Sequence, residues 1–217
     1  LEIQKTSGVA AAPHISCIGS TKENIRELLS LYKQEGINRL VTLRGDMPSG
    51  MHDPGELRHA SELVAFVRAE TGDYFHIEVA AYPEIHPESK SFNSDIQFLK
   101  GKFYAGANSA ITQYFYNPDA YFYFVEQCLQ QGITQDIVPG IMPITNYKNL
   151  SRFSDSCGAE IPRWLRKRLE SFGDDSESLK AFGLDIVSEL CETLLDNDAP
   201  GLHFYTMNQT EPTAAIL

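Results

Sequence analysis

Short apolar runs alternate along the chain with amphipathic segments, which predicts strands that are each followed by a helix. The clearest helical period follows a capping box at Ser20-Thr21-Lys22-Glu23, after which Ile25, Leu28, Leu29 and Tyr32 recur on one face. The predicted strands are 11–18, 39–43, 76–82, 110–115, 136–141 and 202–207. The predicted helices lie near 20–36, 58–70, 91–104, 118–131, 148–156, 162–171 and 176–197, and a further helix begins at the carboxyl end. A glycine- and proline-rich loop is predicted at 47–55.

Six strand–helix units in succession favour a parallel sheet with crossover helices. No G-x-G-x-x-G motif follows a predicted strand, so the main sequence signal of a Rossmann fold is missing. A (β/α)8 TIM barrel typically has about 250 residues, or roughly 30 per unit. We therefore predict an α/β fold of the TIM-barrel type, with two of the eight βα units absent from these 217 residues.

Composition and net charge disfavour several classes of binding partner. The chain is 42% hydrophobic and 22% charged, which is typical of one globular domain with a substantial core. A formal net charge of −11 disfavours nucleic acids and anionic membrane surfaces. No apolar run approaches the roughly 18 residues that span a bilayer, and nothing resembles a signal peptide. Four scattered cysteines without C-x-x-C spacing indicate reduced thiols, so we expect a cytoplasmic protein.

Polar and titratable residues directly follow three of the predicted strands. The segments are Arg44-Gly45-Asp46, Tyr82-Pro83-Glu84-Ile85-His86 and Gln113-Tyr114. Ligands of parallel α/β proteins bind at the carboxyl ends of strands, so three such ends predict a ligand site. The spacing Glu84-x-His86-x-Glu88 also suggests a metal, but no second cluster with ligand spacing accompanies it, and we predict no metal site.

The order of the motifs resembles that of bacterial-type methylenetetrahydrofolate reductases. The resemblance covers essentially the whole chain and rests on the segments 13–14, 43–46, 80–88, 106–115, 139–143 and 203–208. It implies a (β/α)8 barrel that carries FAD and reduces methylenetetrahydrofolate to methyltetrahydrofolate with NADH or NADPH, by ping-pong hydride transfer through the flavin. It also implies a homotetramer that serves one-carbon metabolism and methionine biosynthesis. No residue that would distinguish NADH from NADPH is identifiable.

The resemblance begins close to the family's third strand, which implies that the first two βα units of the (β/α)8 TIM barrel are absent from these 217 residues. The family's first strand carries Phe-Glu-Phe-Phe-Pro-Pro, with the glutamate thought to act as general acid, and this motif is not in the chain. We expect the sequence to be incomplete, since six strands of a barrel would leave two edges open, and we expect the last helix to be shortened at Leu217. The alternatives are a catalytically inactive flavin- or folate-binding barrel and an unrelated lyase that uses Asp46 and His86 as acid and base.

By resemblance, ten residues contact FAD, and Asp46 is also the catalytic residue that would stabilise the cationic methylene-iminium form of the folate. From the residues alone, Asp46 could equally cap a turn, and Arg44 could form a surface salt bridge. Asp95 and Lys102 share a helical face with Leu99, and Lys102 would supply a cation to the pyrophosphate. The ten are His14, Arg44, Gly45, Asp46, His59, Ala60, Tyr82, His86, Asp95 and Lys102.

The chain departs from the family's pattern near this predicted cofactor site. His59 replaces a common tyrosine, and Phe98 and Gly101 stand where polar and basic residues are common. We therefore expect fewer charged contacts to the cofactor. Isolated histidines such as His14 are more often structural hydrogen-bond partners than catalysts.

Four further residues are placed at the substrate by resemblance, namely Gln113, Asn149, Phe153 and Gln209. The amide of Gln113 can donate and accept at once, as the edge of a pterin requires, although it could also satisfy a polar neighbour. Phe153 would stack on the nicotinamide or the folate, or belong to the core of a short helix. Gln209 is neutral where the family often has arginine, so its contact with the folate carboxylates is expected to differ.

Overall fold

The computed structural model describes residues 2–46, 50, 53 and 55–217, so most of the loop predicted at 47–55 lies outside the described residues. Its strands are β1 (His14–Ser16), β2 (Arg39–Leu43), β3 (His76–Ala81), β4 (Ser109–Tyr114), β5 (Ile137–Ile141) and β6 (His203–Phe204). Its helices are α1 (Glu2–Ser7), α2 (Lys22–Gln34), α3 (Ala60–Thr71), α4 (Phe92–Tyr104), α5 (Pro118–Gln130), α6 (Tyr147–Cys157), α7 (Arg163–Ser171), α8 (Ser176–Asp196) and α9 (Glu211–Ile216).

The strands follow one another through a single sheet in chain order, from β1 to β6. The pairs β1–β2, β2–β3 and β5–β6 are parallel, with Ile15 opposite Thr42, Leu40 opposite Ile77 and Gly140 opposite His203. Each of the six strands is followed by at least one helix. The predicted α/β class with a parallel sheet is confirmed.

Compact contacts divide the chain into two units. The first unit comprises Leu1–Ala80 and Gln97–Ala110, and the second unit comprises Ala81–Ile96 and Ile111–Leu217. The boundary falls within β3, α4 and β4, so each unit contains parts of these elements. Among the described residues, no helix combines the length and the apolar character needed to cross a bilayer.

In the first unit, α2 begins one residue later than its predicted capping box. The N-cap is Thr21, whose side chain accepts a hydrogen bond from the Asn24 backbone N–H at 3.2 Å. The Ser20 side chain instead donates to the Ser16 carbonyl at 3.2 Å and caps no backbone N–H among the described contacts. The predicted cap at Ser20 is therefore wrong, whereas the buried positions Ile25 and Leu29 are confirmed.

The two faces of β3 differ in chemistry within the first unit. Ile77 and Val79 are completely buried on one face. On the other face, Glu78 accepts from Arg39 at 3.4 Å, and His76 shares a 2.9 Å hydrogen bond with Ser109. This alternation follows the two-residue period of a strand and leaves a polar network along one side of the sheet.

In the second unit, α5 begins as its sequence predicts. Asn117 is the N-cap and accepts from the Asp119 backbone N–H at 3.1 Å, and Pro118 occupies the first turn. The long helix α8 supplies apolar core through residues such as Val187 and Leu194, which are both completely buried.

Candidate functional site

The segment after β2 is ordered by continued pairing with the chain that follows β1. The Ile18 backbone N–H donates to the Arg44 carbonyl at 2.9 Å, and the Arg44 side chain is half-buried. Gly45 has φ +80°, and a Cβ at this position would lie 2.9 Å from the Ser16 Cβ. The need for glycine is therefore explained by packing against Ser16. Asp46, which follows, is exposed to solvent.

A second cation lies at the neighbouring strand end of the first unit. Lys102 on α4 donates from Nζ to the Ala80 carbonyl at 2.7 Å. Because Thr42 pairs with Val79, Ala80 lies level with Leu43, the last residue of β2. Arg44 is the next residue of the chain. Two cationic side chains thus belong to adjacent strand ends, where parallel α/β proteins bind ligands.

The other predicted cofactor residues of the first unit do not lie at these strand ends. His14 is the exposed first residue of β1 and is level with the middle of β2. His59 is the exposed N-cap of α3, and Ala60 is the buried first residue of that helix. The Glu62 carboxylate accepts from the backbone N–H groups of Arg58 at 2.7 Å and of His59 at 3.3 Å. These bonds, chiefly the one from Arg58, lower the pKa of Glu62 and fix the start of the helix.

In the second unit, the loop after β3 holds three of the predicted residues together. The rings of Tyr82 and His86 meet edge to face, with centroids 4.5 Å apart. The Asp95 carboxylate accepts from the His86 backbone N–H at 2.8 Å and from the Ser89 hydroxyl at 3.1 Å. Asp95 therefore orders the loop that carries His86.

Glu84 lies in the same loop and is tied to the segment after α6. Its carboxylate accepts from the Glu160 backbone N–H at 2.7 Å. Burial raises the pKa of Glu84 to about 7, against the opposing effect of that hydrogen bond. The next residue, Ile85, has φ +85°, a strained conformation for a β-branched residue. From its spacing in the sequence, Glu84 was a candidate metal ligand. Among the described residues, no three His, Cys, Asp or Glu side chains are placed to share a metal ion.

An aromatic cluster surrounds Tyr114 at the end of β4. Phe153 on α6 stacks on the Tyr114 ring at a centroid distance of 6.0 Å and an angle of 15°. The Tyr114 hydroxyl shares a 2.8 Å hydrogen bond with Ser154, and the Tyr205 hydroxyl donates to the Thr112 carbonyl at 2.9 Å. Burial raises the pKa of both tyrosines well above the usual value, so both remain neutral hydrogen-bond donors.

Close backbone approach at Gly140 fixes the position of Tyr205. A Cβ at residue 140 would lie 2.2 Å from the Thr112 carbonyl oxygen and 2.7 Å from the Tyr205 ring. The Gly140 N–H also donates to the Thr112 hydroxyl at 2.8 Å. Only glycine allows β4, β5 and this tyrosine to pack at these distances.

Three of the four predicted substrate residues line one cavity of about 390 Å³ in the second unit, namely Asn149, Phe153 and Gln209. Arg152 and Tyr205 line the same cavity. Its volume lies in the range of small-molecule sites. Gln113 is not among its lining residues, and the Gln113 side-chain oxygen accepts from the next backbone N–H, that of Tyr114, at 3.0 Å.

Arg152 was missed in the sequence analysis although a signal for it exists. Asn149, Arg152, Phe153 and Ser156 recur at helical spacing on α6, and all four line the cavity. A helical projection from Phe153 would have found the other three.

Comparisons with known proteins give one consistent result. Residues 1–217 match the family described as methylenetetrahydrofolate reductase. The 5,10-methylenetetrahydrofolate reductase of Escherichia coli (strain K12) is 40% identical over 214 residues, which cover 99% of this chain and 71% of that protein. A probable methylenetetrahydrofolate reductase (NADH) of Oryza sativa subsp. japonica is 39% identical over 217 residues. The match covers 94% of this chain and 36% of that protein.

A solved structure shares the fold at low sequence identity. It is an uncharacterized protein from Clostridium thermocellum, described as binding two copies of 5-methyl-5,6,7,8-tetrahydrofolic acid. The TM-score is 0.65 at 20% identity, with 99% of this chain and 75% of that chain covered.

Proposed function

Because this chain belongs to the methylenetetrahydrofolate reductase family, whose members reduce methylenetetrahydrofolate to methyltetrahydrofolate, we propose that it performs this reduction with NADH or NADPH through a bound FAD. The observation that carries the proposal is the cavity in the second unit that Asn149, Phe153 and Gln209 line together. These are three of the four residues that the family resemblance assigns to the substrate.

The side chains of the first unit suit an anionic dinucleotide. Arg44 and Lys102 belong to adjacent strand ends and supply the positive charge that a pyrophosphate requires, against a net charge of −11 for the whole chain. We assign the cofactor contacts of this unit to these two residues together with His14, Gly45, Asp46, His59 and Ala60.

The second unit supplies rings and neutral donors. Tyr82 and His86, with the loop ordered by Asp95, are assigned to the flavin, because an edge-to-face aromatic pair suits a flat conjugated ring. When bound, FAD supplies the redox chemistry by taking a hydride from the nicotinamide and delivering it to the folate. Both partners react at the same flavin, so the proposed kinetic scheme is ping-pong.

Asp46 and Gln113 have different proposed tasks toward the folate. The exposed carboxylate of Asp46 would stabilise the positive charge that develops on the methylene-iminium form. The half-buried amide of Gln113 would read the pterin edge by donating and accepting at once. Phe153 would stack on the nicotinamide or on the aromatic part of the folate.

The proposal extends to the organisation of the protein. We assign the chain to one FAD-binding domain of the (β/α)8 type in a cytoplasmic homotetramer. The shared fold of the Clostridium thermocellum protein supports the fold assignment, and four free cysteines suit a reducing compartment.

Anaerobic spectroscopy on the purified protein tests the function. The preparation should be yellow, NADH or NADPH should bleach the flavin bands, and methylenetetrahydrofolate should restore them. A protein that binds FAD but supports neither half-reaction would be an inactive binding barrel. A preparation that stays colourless after incubation with FAD would refute the flavoenzyme assignment and leave the lyase alternative.

A further inference from the structure

The cavity beside α6 contains a cationic side chain that the family resemblance does not assign. We propose that Arg152 binds the carboxylate end of the folate and sets the specificity of this chain for the acidic substrate. This inference rests on the proposed function and identifies the residue that meets the charged part of its substrate.

The placement of Arg152 follows from the helix that carries it. Asn149, Arg152 and Phe153 lie on one face of α6, and all three line the cavity. Phe153 is fixed by its stacking on Tyr114, whose hydroxyl is in turn bonded to Ser154. The face therefore presents a ring, an amide and a guanidinium next to one another.

This set of groups matches the outer part of a folate, which consists of an aromatic ring, an amide and a glutamate with two carboxylates. Among the described lining residues of the cavity, Arg152 is the only one whose side chain is charged at neutral pH. Its planar guanidinium can bind a carboxylate through two parallel hydrogen bonds. The chain as a whole has a net charge of −11, so a dianionic substrate requires such a local cation.

The position of Gln209 strengthens the assignment. Gln209 lines the same cavity as Arg152 and is neutral where the family often has arginine. Arg152 on α6 therefore supplies this cavity with the positive charge that Gln209 lacks. The proposed carboxylate contact of this chain is therefore on α6.

A second cavity, which shares Gln209 with the first, is a poorer place for carboxylates. Its charged lining residues are Glu177, Lys180 and Glu211, and Lys180 is paired with Glu177 at 3.0 Å. Two acidic groups against one cation repel a dianion. The electrostatics therefore favour the cavity that holds Arg152.

The test compares two ligands and two variants of the FAD-loaded protein. The ligands are 5-methyltetrahydrofolate and its dimethyl ester, in which two added methyl groups remove the charge of the glutamate end. The variants are Arg152→Gln and the matched control Arg163→Gln, an exposed arginine that begins α7 and is not among the lining residues of the described cavities. Binding is measured by isothermal titration calorimetry at two salt concentrations.

Arg152→Gln should weaken binding of the acid roughly tenfold or more, the usual loss for a charge-assisted hydrogen-bonded pair, and leave binding of the ester unchanged. The wild type and the Arg163→Gln control should both prefer the acid, and this preference should weaken as salt is added. A double variant, Arg152→Gln with Gln209→Arg, should regain the preference because it returns a cation to the same cavity.

Equal weakening of acid and ester by Arg152→Gln would show a structural role and overturn the inference. Affinities that match those of the Arg163→Gln control would overturn it as well. In either outcome, wild-type turnover of methylenetetrahydrofolate leaves the proposed function intact. A wild type that neither binds nor reduces the folate refutes the proposed function itself.

Discussion

The two units present their proposed site residues in opposite chemical settings. In the first unit, Asp46 is exposed, and the half-buried cations Arg44 and Lys102 lie at adjacent strand ends. In the second unit, Tyr114 and Tyr205 form a packed cluster, and burial raises the pKa of both hydroxyls. The first unit therefore offers charge, and the second offers stacking surfaces and neutral donors.

Two carboxylates show the same contrast. Glu62 in the first unit is exposed and accepts from backbone N–H groups, which lowers its pKa. Glu84 in the second unit is half-buried, and burial raises its pKa to about 7. Substitutions at the proposed cofactor residues of the first unit should therefore act mainly through charge, and substitutions in the aromatic cluster around Tyr114 in the second unit should act mainly through packing and burial.

Replacing one glycine by alanine in each unit should reveal the largest difference in packing between the two units. Gly140→Ala places a methyl group against the Thr112 backbone and the Tyr205 ring, and we expect a loss of about 3 kcal/mol in the free energy of unfolding. Gly101→Ala adds a methyl group to α4 with no atom within 4 Å, and we expect a gain of about 0.5–1 kcal/mol. Urea denaturation measures both, and equal effects of the two exchanges would contradict the comparison.

Asp46→Asn should change the chemistry of the first unit without changing its packing, because the side chain is exposed. Loss of the carboxylate should slow the folate half-reaction about 30- to 150-fold, which corresponds to roughly 2–3 kcal/mol of transition-state stabilisation. Reduction of the flavin by the nicotinamide should change far less. Stopped-flow absorbance separates the two half-reactions, and equal slowing of both would show that Asp46 only positions the flavin.

Gln113→Leu should weaken use of the folate and spare oxidation of the nicotinamide. Leucine is close in size but leaves the polar edge of the pterin without partners, at a cost of about 1–3 kcal/mol for each group. The folate half-reaction and NADH–menadione oxidation are measured side by side on FAD-loaded protein. If both fall together with loss of FAD, Gln113 is structural, because its side-chain oxygen also accepts from the Tyr114 N–H.

The strands show how far sequence patterns predict this fold. The bounds of β2 were predicted without error because an apolar run is flanked by polar residues on both sides. The predictions 11–18 and 202–207 were too long: β1 and β6 lie at the two ends of the strand order and pair on one side, although backbone hydrogen bonds from Ile18 to Arg44 and from Tyr205 to Ile141 continue past them. Hydrophobic patterns report burial, and pairing extends only as far as a neighbouring strand is available. Helix α1 was not predicted, and none of its residues is buried.

A site residue could be placed from the sequence only where its neighbours in the structure are also close to it in the chain. Asn149 and Phe153 were assigned by resemblance, and their shared helical face predicts that they lie together. Arg152 looks like a solvated helix residue until the cavity beside it is known. The bond from Lys102 to the Ala80 carbonyl joins residues 22 positions apart, and no periodicity encodes it.

Titration of Glu84 should change the free energy of unfolding less than Gly140→Ala does, and Glu62 in the first unit should change it with pH in the opposite direction. Between its ordinary pKa of 4.5 and its folded pKa of about 7, the folded protein holds a proton that the unfolded chain has lost. The free energy of unfolding should therefore fall as pH rises through this window, by about 2 kcal/mol after allowance for partial exposure. Glu84→Gln keeps an oxygen that can accept from the Glu160 N–H and should remove this fall.

The matched control is Glu62→Gln in the first unit. The lowered pKa of Glu62 means that its contribution is present at neutral pH and is lost as pH falls through the folded pKa, the opposite direction. Urea denaturation of wild type and both variants between about pH 3 and pH 8 gives each contribution as a difference from wild type. Unfolding curves of Glu84→Gln that follow the wild type at every pH would show that the Glu84 carboxyl titrates as an exposed group. The contrast between the two units would then rest on the aromatic cluster alone.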